Sequence, residues 1–360
     1  MASVVCDPGA LRALTAAMLG RAGTPPDIAA VVAEDLVAAN LAGHDSHGVI
    51  RVPTYLRAIA DGELLPEGRA TVVTDRGATV LVSGGWGFGQ ASGRAATELA
   101  VGRARRFGVG AAALVRCNHL GRLGTFAEQA AEAGCVGMAW VGGIGGTRQV
   151  VPHGGARAAY GTNPVTAGVP LAGGSPFVLD FATSAIAAGK VNVAADAGKS
   201  LPPGAIVDRE GRPSTDPRDF LDGGALLPFG GHKGAALAVL AELLGQALTG
   251  ADQTADEGLG GPFAGAGALF VAIDGGAFRP AAETARQAAE IADRVRAVPP
   301  APGHDAVLVA GDPEAAATAA RSRDGIALPA KTVDDLVAAA ARLGLATSAA
   351  ALARRGGGDG

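Results

Sequence analysis

The sequence predicts a protein of the α/β class with more than one lobe. Residues 8–42 contain two Ala- and Leu-rich stretches with helical periodicity. Further along the chain, short apolar stretches typical of strands alternate with longer helical ones. The strands are expected at 71–74, 78–83, 110–115, 136–141, 176–180, 268–273 and 306–309, and further helices at 91–107, 281–298 and 331–344. Because 360 residues exceed one ordinary hydrophobic core, we expect two or three lobes.

The composition excludes several classes of function. Hydrophobic residues make up 48% of the chain and charged residues 18%, which is typical of a folded globular protein. A net charge of −4 provides no basic surface for nucleic acid or an anionic membrane, and no apolar run is long enough for a membrane span. The amino terminus lacks a signal-peptide pattern, and three isolated cysteines without a CxxC pair favour a reducing compartment. We therefore expect a cytoplasmic protein.

The densest polar cluster is the segment from His44 to Arg51, which follows a helical stretch. His47 would carry a proton, because imidazole titrates near neutral pH. Ser46 can hydrogen-bond this ring or relay its proton. Arg51, one helical turn later, would share a helical face with His47 and offers a planar fork for a carboxylate. The cluster predicts an acid–base site for a small organic acid.

Two other interpretations of this cluster remain open. Asp45 and Ser46 could cap a helix, with the histidines as ordinary polar residues at its start. His44 and His47 could instead bind a metal, although no HExxH motif or Cys/His set supplies the remaining ligands.

Residues 84–93, GGWGFGQASG, come close to the glycine pattern of a Rossmann dinucleotide-binding turn, since they follow a strand and open a helix. Such a unit requires an acidic residue about 20 positions on, at the end of the next strand. That strand ends in Arg116 and Cys117, and no Asp or Glu occurs between Glu98 and Glu128. A Rossmann site is therefore the less favoured interpretation.

Three further positions are candidates for ligand binding. Asn118 and His119 lie between a strand and a helix start, where backbone N–H groups favour a phosphate or carboxylate; the alternative is a glycine-rich turn capped by Asn118. His232 and Lys233 precede a long apolar helix and would suit an anion. The loop 142–164 is rich in glycine and short of charge, and loops of this length are usually functional or disordered.

Several short motifs occur in a characteristic order. They are GHDSHGVIR (43–51) with Tyr55, NHLG (118–121), GTNP (161–164), DFATS (180–184) and GHKG (231–234), followed by AGDPE (310–314) and GIAL (325–328). Together they resemble the malate/L-lactate dehydrogenase family of NAD(P)-dependent oxidoreductases, over about residues 10–345. This family includes sulfolactate, ureidoglycolate and 2,3-diketogulonate enzymes and the Δ1-piperideine-2-carboxylate reductases.

The resemblance implies a fold outside the Rossmann class, with a mixed or largely antiparallel sheet and a helical domain built from both chain ends. Residues 1–75 with 285–350 would form this helical domain, which would hold substrate and dimer contacts. Residues 76–284 would form NAD(P)-binding α/β lobes, and residues 351–360 a disordered tail. The resemblance also implies a homodimer.

The resemblance further implies a role for each motif. His47 would donate or accept the proton at the substrate oxygen or imine nitrogen, with Ser46 in its relay. Arg51, Tyr55 and Thr162 would bind the carboxylate substrate. The nicotinamide dinucleotide, NADH or NADPH, would lie along His119, Leu120, Gly121, Val178, Leu179, Asp180, His232 and Lys233. No metal is expected.

Asn192 lies near the position where some relatives carry an aspartate that assists the histidine. If that aspartate belongs at this position, Asn192 could orient His47 but not hold a negative charge beside it, and the pKa of His47 would then be lower. Lys233, Arg122 and Arg148 could each meet the 2′-phosphate of NADPH, so the choice between NADH and NADPH stays open.

The sequence thus predicts an NAD(P)H-dependent oxidoreductase that transfers hydride to or from a small 2-oxo or 2-hydroxy acid. Hydride transfer supplies no proton, so reduction of C=O or C=N needs a nearby acid such as His47. A reductase of a cyclic 2-imino acid is the alternative, because it needs the same acid and carboxylate clamp. A non-catalytic relative that only binds cofactor is a second alternative, against which the intact His47, Arg51 and His119 argue.

Overall fold

A computed structural model describes residues 3–143 and 148–354. The strands are β1 (Ser3–Cys6), β2 (Thr71–Asp75), β3 (Thr79–Ser83), β4 (Val109–Val115), β5 (Cys135–Gly142), β6 (Val165–Val169), β7 (Phe177–Phe181), β8 (Ile206–Val207), β9 (Pro213–Ser214), β10 (Ala225–Leu226), β11 (Gly267–Asp274) and β12 (Ile326–Pro329). The α-helices are α1 (Pro8–Arg21), α2 (Pro26–Leu41), α3 (Val52–Ala60), α4 (Gly89–Phe107), α5 (Gly124–Glu132), α6 (Ala188–Asp196), α7 (Pro217–Leu221), α8 (His232–Glu242), α9 (Ala281–Arg296), α10 (Asp312–Asp324), α11 (Ala330–Arg342) and α12 (Ala349–Leu352). No helix in the two described ranges is both long and apolar enough to cross a membrane.

The main sheet has seven strands in the described chain, in the order β2-β3-β4-β11-β5-β6-β7. β3 and β4 are parallel, whereas every other neighbouring pair in this sheet is antiparallel. Parallel neighbours need a crossover connection, which α4 provides here. The predicted α/β fold with a mixed sheet is confirmed.

The glycine residues of segment 84–93 allow α4 to pack closely against its neighbours. A Cβ at Gly89, the first residue of α4, would lie 2.4 Å from the carbonyl oxygen of His119. A Cβ at Gly93, one turn later, would lie 2.4 Å from the ring of Phe126. Only glycine permits such close approaches. Because the surrounding sheet is largely antiparallel, the stretch does not belong to a Rossmann unit.

The hydrophobic core is divided among several clusters. The first joins both ends of the chain, since α1, α2 and α3 pack with β12, α11 and α12 around residues such as Leu36 and Leu336. The second lies between the main sheet and helices α4 and α5, and contains Phe126 and Phe270. A third, smaller cluster surrounds the sheet β10-β8-β9. The predicted division into domains stays a prediction.

The carboxyl-terminal part corrects several expectations. Residues 306–309 form no strand, and α10, which begins at Asp312, was not predicted. β12 pairs with β1 at the other end of the chain, and both strands escaped prediction because each is short and acquires its partner only on folding. In the predicted disordered tail 351–360, Leu352 is buried in the first cluster, so disorder is wrong there. Residues 355–360 lie outside the described part.

Candidate active site

Asn40, in the last turn of α2, holds the following turn in shape. Its side-chain nitrogen donates to Asp45 Oδ1 at 2.7 Å, and its side-chain oxygen accepts from the Val49 backbone N–H at 2.9 Å. Arg321 of α10 also donates to Asp45 Oδ1, at 2.7 Å. These bonds satisfy the polar groups of an irregular segment. Asn40 and Arg321, which lie outside the polar cluster, thereby fix the position of His47.

The segment 44–51 forms two single 3₁₀ turns instead of one helix. Neither Asp45 nor Ser46 caps a helix, so the capping interpretation is wrong. Arg51 does not share a continuous helical face with His47, because the chain turns between them. Its Nε donates to the carbonyl oxygen of Ser46 at 2.6 Å, which leaves the end of the guanidinium for other contacts.

The metal interpretation gains no support from the geometry. His44 Nε2 lies 3.1 Å from Glu314 Oε1 in α10. Among the residues of ranges 3–143 and 148–354, no group of three or more His, Cys, Asp or Glu could hold a metal ion.

His47 stacks on His119, which follows the end of β4. The two ring centroids are 5.3 Å apart and the ring planes differ by 14°. Tyr55 Oη lies 2.8 Å from His119 Nδ1 and accepts from Gln90 Nε2 at 2.7 Å. Because the Tyr55 oxygen accepts from Gln90, its hydroxyl proton can go to His119 Nδ1. In that tautomer a neutral His119 carries its own proton on Nε2, which has no hydrogen-bond partner in the described chain.

Two cavities meet at His119. The first has a volume of about 90 Å³, and its lining includes His47, Thr162, Leu120 and Gly121. The second has a volume of about 40 Å³, and its lining includes Arg51 and Tyr55. Asn118, His119 and Phe263 line both cavities. These volumes admit only small groups. His47, the candidate proton carrier, lines the first cavity, the cationic Arg51 lines the second, and the His119 ring borders both.

Burial, together with the charges of Arg51, His44 and Arg122, lowers the pKa of His47 to about 4. Burial also lowers the pKa of His119 well below its usual value, helped by His47 and Arg51. Both imidazoles are therefore neutral at pH 7. His47 Nδ1 is buried without a hydrogen-bond partner in the described chain, and the Arg51 Nη atoms have none there either. Unpaired polar groups are costly unless a ligand pairs with them, as in a binding site.

Asp180 in β7 occupies the amino-terminal end of α5. Its Oδ2 accepts from the Gly124 backbone N–H at 2.7 Å and lies 3.8 Å from Arg122 Nε. Burial raises the pKa of Asp180, although Arg122 and the Gly124 N–H oppose this shift. The helix start that we expected to bind a phosphate or carboxylate thus binds a carboxylate of the chain itself. Arg122 is also paired with Glu128 at 2.8 Å, so it is not available to a 2′-phosphate.

Thr162, Leu120 and Gly121 lie with His47 around the first cavity. Thr162 is held through its carbonyl oxygen, which accepts from the backbone N–H of Thr183 at 2.9 Å. These three residues are thus in reach of a ligand that also touches His47.

The other predicted cofactor residues do not line the two cavities. Val178 and Leu179 lie in β7, the last strand of the main sheet as described. His232 and Lys233 are exposed at the start of α8, where the ring of His232 lies 5.9 Å from that of His153. A ligand that joined these positions to His47 would have to be extended, as a dinucleotide is.

Asn192 is exposed in α6 and forms no hydrogen bond with His47, whose Nδ1 has no partner in the described chain. Gly189 is the α6 residue that approaches the cluster, since a Cβ there would lie 3.6 Å from Ser46 Cβ. The expectation that Asn192 orients His47 is therefore wrong. Residues 144–147 of the glycine-rich loop lie outside the described residues.

Sequence reasoning missed Gln90 and Phe263. Gln90 holds Tyr55, whose buried hydroxyl is thereby engaged within the chain, so Tyr55 can meet a substrate only through its ring. Phe263 lies in the 3₁₀ turn Gly261–Phe263, and its ring centroid is 5.6 Å from that of His119. The only signal in the sequence was a Gly-Gly-Pro turn, which carries no chemistry.

The sequence profile of the malate/L-lactate dehydrogenase family matches residues 6–337. The chain is 46% identical over 230 residues to a Delta(1)-pyrroline-2-carboxylate/Delta(1)-piperideine-2-carboxylate reductase of Pseudomonas syringae pv. tomato, a match that covers 63% of this chain and 66% of the relative. It is 36% identical over 345 residues, 94% of each chain, to hydroxycarboxylate dehydrogenase B of Escherichia coli strain K12. The solved sulfolactate dehydrogenase from Methanocaldococcus jannaschii superimposes with a TM-score of 0.83 at 31% identity, over 95% of this chain and 98% of that one.

Proposed function

The chain belongs to the malate/L-lactate dehydrogenase family, a family of enzymes, and from this premise we propose that it is an NAD(P)H-dependent oxidoreductase of small 2-oxo or 2-hydroxy carboxylic acids. In the proposed reaction a hydride moves between the nicotinamide ring and the substrate carbon next to the carboxylate. A proton moves between His47 and the substrate oxygen. His47, with Ser46 beside it, is the proposed proton carrier.

The observation that supports this proposal most is the meeting of His47, His119 and Arg51 around two neighbouring small cavities. The unpaired end of the Arg51 guanidinium suits a carboxylate, which it can bind with two parallel hydrogen bonds. The Nε2–H of His119 suits the substrate oxygen as a neutral donor. A 2-oxo acid presents both groups on adjacent carbons, so one small molecule satisfies both.

The proton balance follows from the neutral state of His47. During oxidation, His47 accepts the hydroxyl proton as the hydride leaves the carbon, and the 2-hydroxy acid becomes a 2-oxo acid. During reduction, a protonated His47 returns that proton to the oxygen. The bound cofactor supplies or removes the hydride, and the chain supplies the remaining groups.

Arg51 couples the proton on His47 to substrate binding. Its positive charge lowers the pKa of His47 in the free protein. A substrate carboxylate on Arg51 would neutralise that charge, so the pKa of His47 would rise when substrate binds. The bound acid would thereby favour the protonated imidazole that reduction requires.

The residues proposed to hold the cofactor are His119, Leu120, Gly121, Val178, Leu179, Asp180, His232 and Lys233. This set fits a dinucleotide, because exposed cationic groups at a helix start suit phosphates and apolar Leu120 suits a flat ring. Asp180 would contribute through its backbone, since its carboxylate is engaged by Gly124. Lys233 and Arg148 remain candidates to bind the 2′-phosphate of NADPH, so the proposal includes both NADH and NADPH.

A reductase of a cyclic 2-imino acid is the second candidate function. The relative with 46% identity is named a Delta(1)-pyrroline-2-carboxylate/Delta(1)-piperideine-2-carboxylate reductase, which favours it. The same residues serve this reaction, with the imine nitrogen taking the proton from His47 and Arg51 binding the ring carboxylate. Thr162 and Tyr55 would contact the substrate in either case.

The test is a fluorescence titration with NADH and NADPH, followed by oxidation of the bound form by pyruvate, oxaloacetate or Δ1-piperideine-2-carboxylate. We expect binding of one or both cofactors and turnover with at least one of these acids. Turnover confined to the cyclic imine would identify the imino-acid reductase. No binding of either cofactor would contradict the proposal.

His47→Asn tests the proton carrier in the same assay. We expect kcat to fall by about 10²–10⁴-fold, because a positioned acid–base group contributes roughly that factor, while the Kd of the cofactor stays within about twofold. His304→Asn, at an exposed histidine, is the control and should change neither value. An unchanged kcat in His47→Asn would assign the proton transfer to another group.

We also propose that the chain forms a homodimer and works in the cytoplasm. The resemblance noted above supports the first, and the isolated cysteines in the sequence favour the second. Val239, Leu240 and Leu243 present exposed apolar side chains along α8 and the turn after it, which is a surface of the kind that subunit contacts cover.

A further inference from the structure

We propose that Phe263 determines substrate specificity by limiting the size of the substrate side chain, and that Glu257 is the positioning residue that holds it there. This inference rests on the proposed function, because it concerns the substrate of the same site. It adds a residue that no motif of the sequence marks.

Phe263 is the apolar wall common to both cavities. It lines the cavity that contains His47 and the cavity that contains Arg51. Its ring centroid lies 5.6 Å from that of His119, with the planes tilted by 41°. An acid that contacts both Arg51 and His47 occupies both cavities, so it also lies against the phenyl ring that borders them. Phe263 thus sets the space left for that side chain.

A clasp of three residues, Trp86, Arg116 and Glu257, holds the amino-terminal side of the loop that carries Phe263. Arg116 Nε donates to both oxygens of Glu257 at 2.8 Å, and the Trp86 indole N–H donates to Glu257 Oε2 at 2.9 Å. A carboxylate that accepts from both a guanidinium and an indole N–H is held by directional contacts. Glu257 itself lies on the loop, six residues before Phe263.

The two residues of the clasp that donate to Glu257 are held in position by their own backbone. Trp86 and Arg116 adopt positive φ values of 54° and 51°, a left-handed conformation that such residues avoid without external support. The Trp86 backbone N–H donates to the Arg116 carbonyl oxygen at 2.7 Å. A Cβ at Gly260 would lie 2.2 Å from the Trp86 ring, so the loop runs directly over the indole.

Two further hydrogen bonds hold the loop, one on each side of Phe263. The Gly260 N–H donates to the carbonyl oxygen of Glu63 at 2.8 Å. Gln246, in the single π turn Leu243–Ala247 after α8, donates to the Gly265 carbonyl oxygen at 2.9 Å. Phe263 therefore lies between two fixed points. Of these contacts only the clasp depends on charge, and Glu257 lines neither cavity.

The test compares kcat/KM along a series of unbranched 2-oxo acids from pyruvate to 2-oxohexanoate, with the cofactor that binds the wild type. Phe263→Ala should raise the ratio of kcat/KM for the longest acid over that for pyruvate at least about tenfold, since single pocket groups discriminate by about that factor. Phe263→Leu should give a smaller change in the same direction. Phe278→Ala, at a phenylalanine that is 89% exposed, should leave the ratio unchanged.

Glu257→Ala tests the clasp and should move the same ratio in the same direction, with KM for pyruvate raised several-fold and kcat changed less than twofold. Glu257→Gln should lie between this variant and the wild type, because its amide oxygen can still accept from Trp86. A loss of kcat without a change in the ratio would overturn the positioning role.

The outcomes separate this inference from the proposed function. If the wild type turns over none of the acids and no cyclic imine, the proposed function fails. If the wild type is active on the cyclic imine alone, the series becomes the five- and six-membered ring imines, with the same expected direction. If the wild type is active and both Phe263 variants keep the wild-type ratio, the inference is overturned.

Discussion

Arg51 acts on His47 through space as well as through the substrate. The two residues lie in successive 3₁₀ turns, and the guanidinium of Arg51 donates to the carbonyl oxygen of Ser46, which lies beside His47 in the first turn. Burial is the main cause of the lowered pKa of His47, and Arg51 is the largest charge effect. A single residue therefore serves as carboxylate anchor and as regulator of the proton on the neighbouring imidazole.

The pH dependence of the free protein tests this coupling. Because the pKa of His47 is lowered to about 4, the ring should stay neutral as the pH falls from 7 to about 5, whereas an unperturbed histidine titrates near 6.5. Its capacity to accept the hydroxyl proton, and hence kcat/KM for oxidation, should be lost only as the pH falls through about 4. The measurement is an NMR titration of labelled histidines, with His47→Asn for assignment.

Arg51→Ala should raise the pKa of His47 toward its usual value but not fully, because burial remains. Arg57→Ala, at an exposed arginine that lines the same cavity but is not among the charges that lower the pKa of His47, is the matched control and should leave that pKa in place. A His47 signal that titrates near 6.5 in the wild type would contradict the electrostatic argument.

At the scale of elements, the segment from Asn40 to Arg51 depends on a close approach between a glycine and an asparagine. A Cβ at Gly48 would lie 2.2 Å from Asn40 Oδ1, the atom that accepts the Val49 N–H. The site can therefore accept no larger residue at position 48 without losing the bonds that shape the turn.

Gly48→Ala should destabilise the protein by about 2 kcal/mol, as overpacking of a tight contact does, and should lower kcat/KM because His47 moves. Urea unfolding and steady-state kinetics measure the two effects. Gly102→Ala is the matched control: this glycine is exposed inside α4 with no atom near its Cβ position. It should stabilise the protein by about 0.5–1 kcal/mol. Equal stabilities for the two variants would show that the turn tolerates a side chain.

At the scale of the whole molecule, the helix that begins with His232 and Lys233 also carries an uncovered apolar face. Val239, Leu240 and Leu243 are 45%, 39% and 55% exposed. Exposed apolar side chains that lie together on a folded chain mark a contact surface more often than an idle one. We assign this face to the contact with a second copy of the chain.

The wild type should therefore elute as a dimer, with twice the 35.2 kDa mass of one chain, in size-exclusion chromatography with light scattering. A variant with Leu240→Lys and Leu243→Lys should elute as a monomer, because two buried charges oppose association. Phe278→Lys, at an exposed residue elsewhere, should stay dimeric. A monomeric wild type would contradict the homodimer, and a dimeric double variant would move the contact to another surface.

Much of the fold could be predicted where a segment carries its own signal. The strands and helices that we expected between residues 71 and 298 occur close to their expected bounds, because apolar periodicity and turn residues are local properties. In the same region β6, α6, β8, β9, α7 and β10 were not predicted. The strand expected at 306–309 was wrong, since a short apolar run there has no neighbouring strand to pair with. β1 and β12 were missed because each is a short run whose partner strand lies at the other end of the chain.

The types of side chain at the site could also be predicted from the sequence. His47, Arg51 and His119 belong to motifs that placed the chain in its family, and the structure brings all three together. The sequence alone thus determined the α/β class with a mixed sheet, the family and the types of side chain available for proton transfer and carboxylate binding. These are properties of residues and of short segments.

Only the tertiary structure decided how those residues are used. It stacked His47 on His119, engaged the hydroxyl of Tyr55 within the chain, bound Asp180 to the start of α5 and placed Phe263 against both cavities. Each of these contacts joins residues at least 35 positions apart in the chain. Their burial, charge and hydrogen bonding depend on packing, which no local pattern records, and these quantities determine the pKa, the free donors and the space at the site.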